Sequence, residues 1–148
     1  MSRLSALLPA LLLCTAFSSH AADDAAAAPA RECRHRNADI EQAIGYCQAV
    51  RVGNTLHVSG VTSDGPMDQA IGNVYRQLER ILADNGLSLR DVVKENLYAT
   101  DLDAMIRHGS LRKPFYGDTL PAATWVQVER LFMPSFVLEV EVTAQYPQ

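Results

Sequence analysis

The sequence has no basic stripe, no closely spaced metal-ligand motif and no apolar run long enough to span a bilayer. Each absence excludes something. Lys and Arg number 13 against 17 Asp and Glu, a net charge of −4. Binding a phosphate backbone needs clustered cations, so no nucleic-acid partner is expected. The 3 cysteines and 4 histidines form no CxxC or HxxxH pair, so neither a metal nor a cofactor is expected. The longest apolar run, Leu4 to Phe17, falls short of the roughly 20 residues a spanning helix requires.

That run has another reading. Arg3 precedes it, it holds six leucines, and Ser19-His20-Ala21 places small residues where signal peptidase cuts. Residues 1–21 are therefore expected to be a cleaved signal peptide, and the protein to be periplasmic or secreted, with no stable membrane insertion afterwards. An uncleaved anchor is disfavoured by Pro9 and by the lack of a charged stop. A lipoprotein cut at Cys14 is disfavoured by Leu13. Residues 22–38 begin Ala-rich and pass through the basic RECRHR, reading as a linker and solvated arm. Cleavage leaves Cys33 and Cys47. Export permits a disulfide between them, but a mobile arm does not require one.

The rest has an ordinary globular balance, 48% hydrophobic and 20% charged, with room for one core over residues 39–148. Gly53-Asn54 between two apolar runs predicts a tight hairpin. From Met67 to Gly86, Ile71, Val74, Leu78, Ile81 and Leu82 form one stripe at helical spacing, and Gly86 stops it. A third strand covers Asp91–Thr100, with Val93, Leu97 and Ala99 on one side. Asp101 then caps a second helix running to about Tyr116, weakened at Gly109 and Pro114. Leu120–Gln145 reads as two strands joined by a short turn. In the second, Phe136, Leu138, Val140 and Val142 alternate with Val137, Glu139, Glu141 and Thr143, so one side faces a core and the other presents two carboxylates. The order ββ-α-β-α-ββ predicts an α+β two-layer sandwich, with both helices on one face of a mixed sheet. Its other face also carries apolar residues, and other subunits are its expected cover.

Several stretches resemble one family in the same order. IGYCQAVRVGNTLHVSG resembles the opening of the RidA (YjgF) family, typically near IGPYSQAV and then a Gly-Asn turn and Ser-Gly. PAATWVQVERL followed by FVLEVEVTA is similar to the family's PAR motif, its alternating valines and its last strand ending in E-x-E. Tyr98, Thr100 and Asp101 agree as well. The likeness covers Ile44 to Gln145. It implies a chorismate-mutase-like fold with a six-stranded sheet, a homotrimer, and a small-molecule cleft at each subunit interface. Many members hydrolyse reactive enamines or imines to 2-keto acids and ammonia.

Carried over residue by residue, the resemblance places the catalytic glutamate at Glu139. The substrate-binding positions are Tyr46, Ser59, Gly60, Ala123, Thr124 and Trp125. Backbone groups near Gly60 and Thr124 would hold the substrate's polar end. The first motif lacks the family's proline, so Tyr46 aligns only across a one-residue deletion. Ala123 stands where the family's arginine grips the substrate carboxylate. A desolvated contact of that kind is worth about 2–5 kcal/mol. Arg51 and Arg130 are candidate substitutes. Trp125 would either fill part of the cleft or anchor an interface, and Tyr46 is either a ligand contact or an interface aromatic. Two functions follow: an exported deaminase of imines, enamines or related carbonyl compounds, or a trimeric binding protein that keeps the cleft without the chemistry.

Overall fold

The computed structural model describes residues 29–147. The expected signal peptide and the first part of the expected linker lie outside the described residues. Six strands form one mixed sheet in the order β1-β2-β3-β6-β4-β5. They are β1 (Arg31–Arg34), β2 (Ala49–Val52), β3 (Thr55–Asp64), β4 (Val92–Ala99), β5 (Ala122–Gln127) and β6 (Phe136–Gln145). Helices α1 (Ala38–Ile44), α2 (Met67–Asp84), α3 (Leu102–His108) and the single turn α4 (Lys113–Tyr116) complete the fold.

α2 follows its stripe closely. Ile71, Val74, Leu78 and Leu82 are completely buried. Each such side chain contributes about 1.5–3 kcal/mol of transfer free energy. The helix lies on β3 and β6, with α3 beside it. It ends where Gly86 takes a positive φ of 73°, and the Leu87 N–H donates to the Leu82 carbonyl at 2.9 Å. Asp101 caps α3 as its position implied, accepting from the Ala104 N–H at 2.8 Å. The break at Gly109 is real: a 3₁₀ stretch over Gly109–Arg112 precedes α4. The two-layer α+β architecture is therefore as expected.

The structure corrects four expectations. Arg31–Arg34 is not a free arm but an edge strand, pairing antiparallel with β2 from Arg31↔Val52 to Arg34↔Ala49. It supplies the sixth strand, and a Cys33–Cys47 disulfide ties it down, with Cα atoms 5.6 Å apart. Secondly, a helix of seven residues, α1, precedes β2, and its apolar Ile40 and Ile44, one turn apart, are exposed rather than in the core. Its one buried residue is Glu41. Thirdly, the last two strands are not neighbours, because β4 lies between them. The helical crossover after β4 is long enough for β5 to pair with it in parallel, leaving β4's other edge to β6. Finally, Val93 is exposed and Val92 is buried. A register shift between Val92 and Lys94 rotates the strand by one residue.

β6 is the centre of the sheet. Leu138, Val140, Val142 and Ala144 enter the core, as the alternation required. Val137, Glu139, Glu141 and Thr143 are half-buried, and of these Val137 packs against the core. The sheet face away from α2 also carries Lys94, Asn96, Tyr98 and Thr124, with Val126 exposed among them.

Candidate functional site

The site begins with a bulge. Val58 pairs with Val142 and Val61 with Val140, so Ser59 and Gly60 together oppose the single residue Glu141. Such an insertion bends a strand and redirects its side chains. Here it sets Gly60 against the side chain of Glu139. A Cβ on Gly60 would fall 1.8 Å from Glu139 Oε1 and 2.7 Å from Cδ. Glycine is required because the carboxylate occupies the space of a side chain.

The neighbouring wall is built by α1 and the loop after it. Gly45 ends the helix in the left-handed region, at φ 95°. The chain then turns through Tyr46 and Cys47 into β2. Ser59 fixes this turn: its hydroxyl donates to the Cys47 carbonyl at 2.7 Å, and its N–H to the Gln48 carbonyl at 2.9 Å. Between the turn and β6 lies a hollow of about 350 Å³, lined by Ile44, Tyr46, Gly60, Phe132, Phe136 and Glu139, with Ser59 and Thr62 at its edge.

Glu139 is half-buried in this largely apolar hollow. Burial raises its pKa above the ordinary carboxyl value, and the nearby Glu141 charge adds to the rise. Among the described residues, no side chain donates a hydrogen bond to it. Glu141, two residues on, is held by Asn96 Nδ2 at 2.8 Å and the Tyr98 hydroxyl at 3.1 Å. Tyr98 is itself pushed up, first by burial and then by that hydrogen bond to Glu141. Glu139 is thus a carboxylate of increased basicity facing an open hollow, suited to hold or accept a proton from water.

Tyr46, Ser59, Gly60 and Glu139 are therefore together. Ala123, Thr124 and Trp125 are elsewhere within the same chain: they lie on β5, with β4 between them and β6. Ala123 is exposed. Thr124 accepts a hydrogen bond from Lys94 Nζ at 2.7 Å. Trp125 turns into the helix layer, where its Nε1–H donates to Glu95 Oε1 at 3.0 Å. It is neither a filler of this hollow nor an exposed interface anchor. Arg51 donates to the Gly53 carbonyl and stacks on Tyr146, and Arg130 donates to the Leu131 carbonyl. Neither lines the hollow.

Sequence reasoning missed two features. Phe132 lines the hollow from a loop without periodicity, and Phe136, which the alternation sends to the core, lines it instead where the β3–β6 register shifts between Leu138 and Phe136. Glu95 is completely buried, and four side chains meet it. The hydroxyls of Tyr75 and Tyr116 donate to Oε2, each at 2.6 Å, while Arg112 Nη2 donates to Oε1 at 2.9 Å beside Trp125. A signal existed: the alternation that sends Leu97 and Ala99 inward sends Glu95 there too.

A third cluster, Cys33, His35 and Cys47, has its sulfur and nitrogen atoms within 4.8 Å of one another. Its two sulfurs are bonded to each other, so neither is a thiolate free for a metal.

Comparison with known proteins agrees with this geometry. The family model described as Endoribonuclease L-PSP matches residues 37–146. A RutC family protein of Pyrococcus abyssi is 35% identical over 109 residues, covering 67% of this chain and 84% of that protein. A 2-iminobutanoate/2-iminopropanoate deaminase of Dermatophagoides farinae is 28% identical over 100 residues, covering 61% of this chain and 78% of that one. Among solved structures, a YjgF-family member from Mycobacterium tuberculosis superposes with a TM-score of 0.72 at 29% identity, covering 79% of this chain and 100% of that one. With the sheet order, the bulge and the Gly60–Glu139 packing in place, these matches show that the chain belongs to the RidA/YjgF family, the group described as Endoribonuclease L-PSP.

Proposed function

We propose that the protein hydrolyses reactive imines, enamines or related small carbonyl compounds, with Glu139 as the group that handles the water. The observation that carries this reading is Glu139 itself: half-buried, raised in pKa and packed against Gly60 in a hollow walled by aromatic rings. A water molecule beside the carboxylate attacks the imine carbon and gives a proton to Glu139. The tetrahedral carbinolamine then collapses. Its nitrogen takes the proton that Glu139 received and leaves as ammonia, while the hydroxyl loses its own proton to solvent and becomes the carbonyl. The deaminase named among the relatives supports this chemistry. The net charge of −4 speaks against the ribonuclease reading that the family description suggests.

The working unit we propose is a homotrimer with the cleft at each subunit interface. Ala123 and Thr124 lie on β5, away from Glu139 in one chain, and in such a trimer they would come to the hollow from a neighbouring copy. Export to the periplasm or beyond is part of the same proposal. The Cys33–Cys47 bond supports it, since disulfides persist in oxidising compartments.

Ala123 favours a second reading, a binding protein without catalysis, because a methyl group cannot grip a substrate carboxylate. One experiment separates the two. Imines are generated in situ from amino acids by an oxidase, and their loss is followed with wild type, Glu139→Gln and Ala123→Arg. Activity in wild type that Glu139→Gln abolishes supports the hydrolase. Silence in wild type with activity in Ala123→Arg indicates a hydrolase for substrates lacking a carboxylate. Silence in both overturns the enzyme and leaves the binding protein. A monomer in light scattering at micromolar concentration overturns the trimer and its cleft.

A further inference from the structure

We propose that Cys33, Cys47, His35 and Glu41 form a thiol–disulfide exchange site, in which Cys33 is the leaving thiolate and a small thiol the substrate. The inference is independent of the hydrolase reading. Both cysteines are partly exposed, so a small thiol can reach the bond. The chain turns back after Cys33 so that His35 Nε2 lies 3.1 Å from Cys33 Sγ. The other ring nitrogen, Nδ1, lies 2.7 Å from Glu41 Oε2. His35 is within hydrogen-bond distance of Cys33 and not of Cys47.

Glu41 is held in place for this contact. It is 2% exposed, and accepts from the backbone N–H groups of Arg36 at 3.0 Å, Asn37 at 2.8 Å and Gln48 at 3.2 Å. Burial works to raise its pKa, but these bonds and the one to His35 outweigh it and hold Glu41 below the ordinary value. The backbone bonds account for the start of α1. They do not account for an imidazole placed between the carboxylate and a sulfur. A purely structural disulfide needs neither group. A carboxylate, an imidazole and a sulfur in series is the arrangement that stabilises a thiolate. Arg34, Arg36 and Asp84 line a small hollow beside His35, with Arg34 paired to Glu32.

The chemistry balances as follows. A substrate thiolate attacks Cys47 Sγ and forms a mixed disulfide there. The Cys33–Cys47 bond breaks, and its electron pair goes to Cys33 Sγ. His35 donates a hydrogen bond from Nε2 to the new thiolate, and Glu41 holds the ring in place from Nδ1. A second thiolate attacks the external sulfur, releasing a small disulfide, and Cys47 leaves as a thiolate that takes a proton from water. Two small thiols are oxidised and one protein disulfide is reduced. A leaving thiol of low pKa speeds the first step.

To test this, the purified oxidised protein is treated with excess dithiothreitol while circular dichroism follows the fold. It is then pulsed with iodoacetamide at about pH 6, where an ordinary thiol is protonated. Mass spectrometry reads alkylation at each cysteine. Cys33 is expected to react at least about tenfold faster than Cys47, and His35→Ala to bring it down to the Cys47 rate with the fold retained. His35→Gln serves the same purpose if His35→Ala does not fold. Equal rates in wild type overturn the proposal. So does a Cys33 rate that ignores His35, or a bond that resists the dithiol in the folded protein.

Discussion

Glu95 and Glu139 sit on adjacent strands, β4 and β6, and point to opposite faces of the sheet. Glu95 has no exposed surface and four donors: two tyrosine hydroxyls, a guanidinium and an indole. Glu139 is half-buried, and no described side chain donates to it. The electrostatics of the two regions diverge accordingly. Around Glu95, burial and the carboxylate push Tyr75 and Tyr116 far up, so both stay protonated as donors. Burial works against the charge of Arg112, but Glu95 together with Tyr75 and Tyr116 more than offsets it. The cluster is saturated and has no capacity for a ligand. Glu139 keeps its lone pairs unused beside a hollow. Burial alone therefore does not single out a candidate carboxylate in this sheet; hydrogen-bonding capacity that no described side chain takes up does.

Four experiments break or sharpen that contrast. The largest effect is expected at the saturated end. Glu95→Ala leaves the Arg112 charge buried and unpaired, and should cost about 3–5 kcal/mol in urea denaturation. Glu139→Gln should leave that transition nearly unmoved but lower imine hydrolysis about a hundredfold, roughly 2.7 kcal/mol of barrier. If Glu139→Gln unfolds the protein instead, the two carboxylates do not differ in kind. Gly60→Ala drives a methyl group into the Glu139 carboxylate. It should cost about 1–3 kcal/mol of stability and displace Glu139, so activity falls with it.

The smallest effect is in pH dependence, and its sign separates two glutamates. Glu139 has a raised pKa, so its favourable contribution is fully present below the unfolded value and is lost as pH rises through the folded one. Glu41 has a lowered pKa, so its contribution is present above the unfolded value and is lost as pH falls through the folded one. Stability profiles of Glu139→Gln and Glu41→Gln against wild type should therefore diverge in opposite directions across the acid range. Parallel curves would refute the assigned shifts.

What could be read from the chain beforehand depended on periodicity. The α2 stripe and the β6 alternation repeat over several residues and the Gly53-Asn54 turn is a local signal; each appeared where expected, the alternation from Leu138 onward. The Val93 assignment failed because one bulge reverses the parity of everything on one side of it. α1 and β1 were hidden for another reason. They are held by a buried glutamate, a four-residue ladder and a disulfide, none of which has a periodic pattern. At the site, Tyr46, Ser59, Gly60 and Glu139 were found through family resemblance. The apolar wall was not, because Phe132 lies in an irregular loop and Phe136 had been assigned to the core. The resemblance also grouped Trp125 with the cleft, whereas Glu95 draws its indole into the opposite layer.

The position of β6 also bears on how the molecule is made. It follows the other five strands in the chain, yet lies between β3 and β4. Without residues 136–145, β1-β2-β3 and β4-β5 are two fragments with no edge in common. The long-range pairing that joins them waits for the last strand, so folding has a high contact order and starts late. The sheet is completed only when one strand, β6, pairs with both fragments and so holds each half of the molecule to the other.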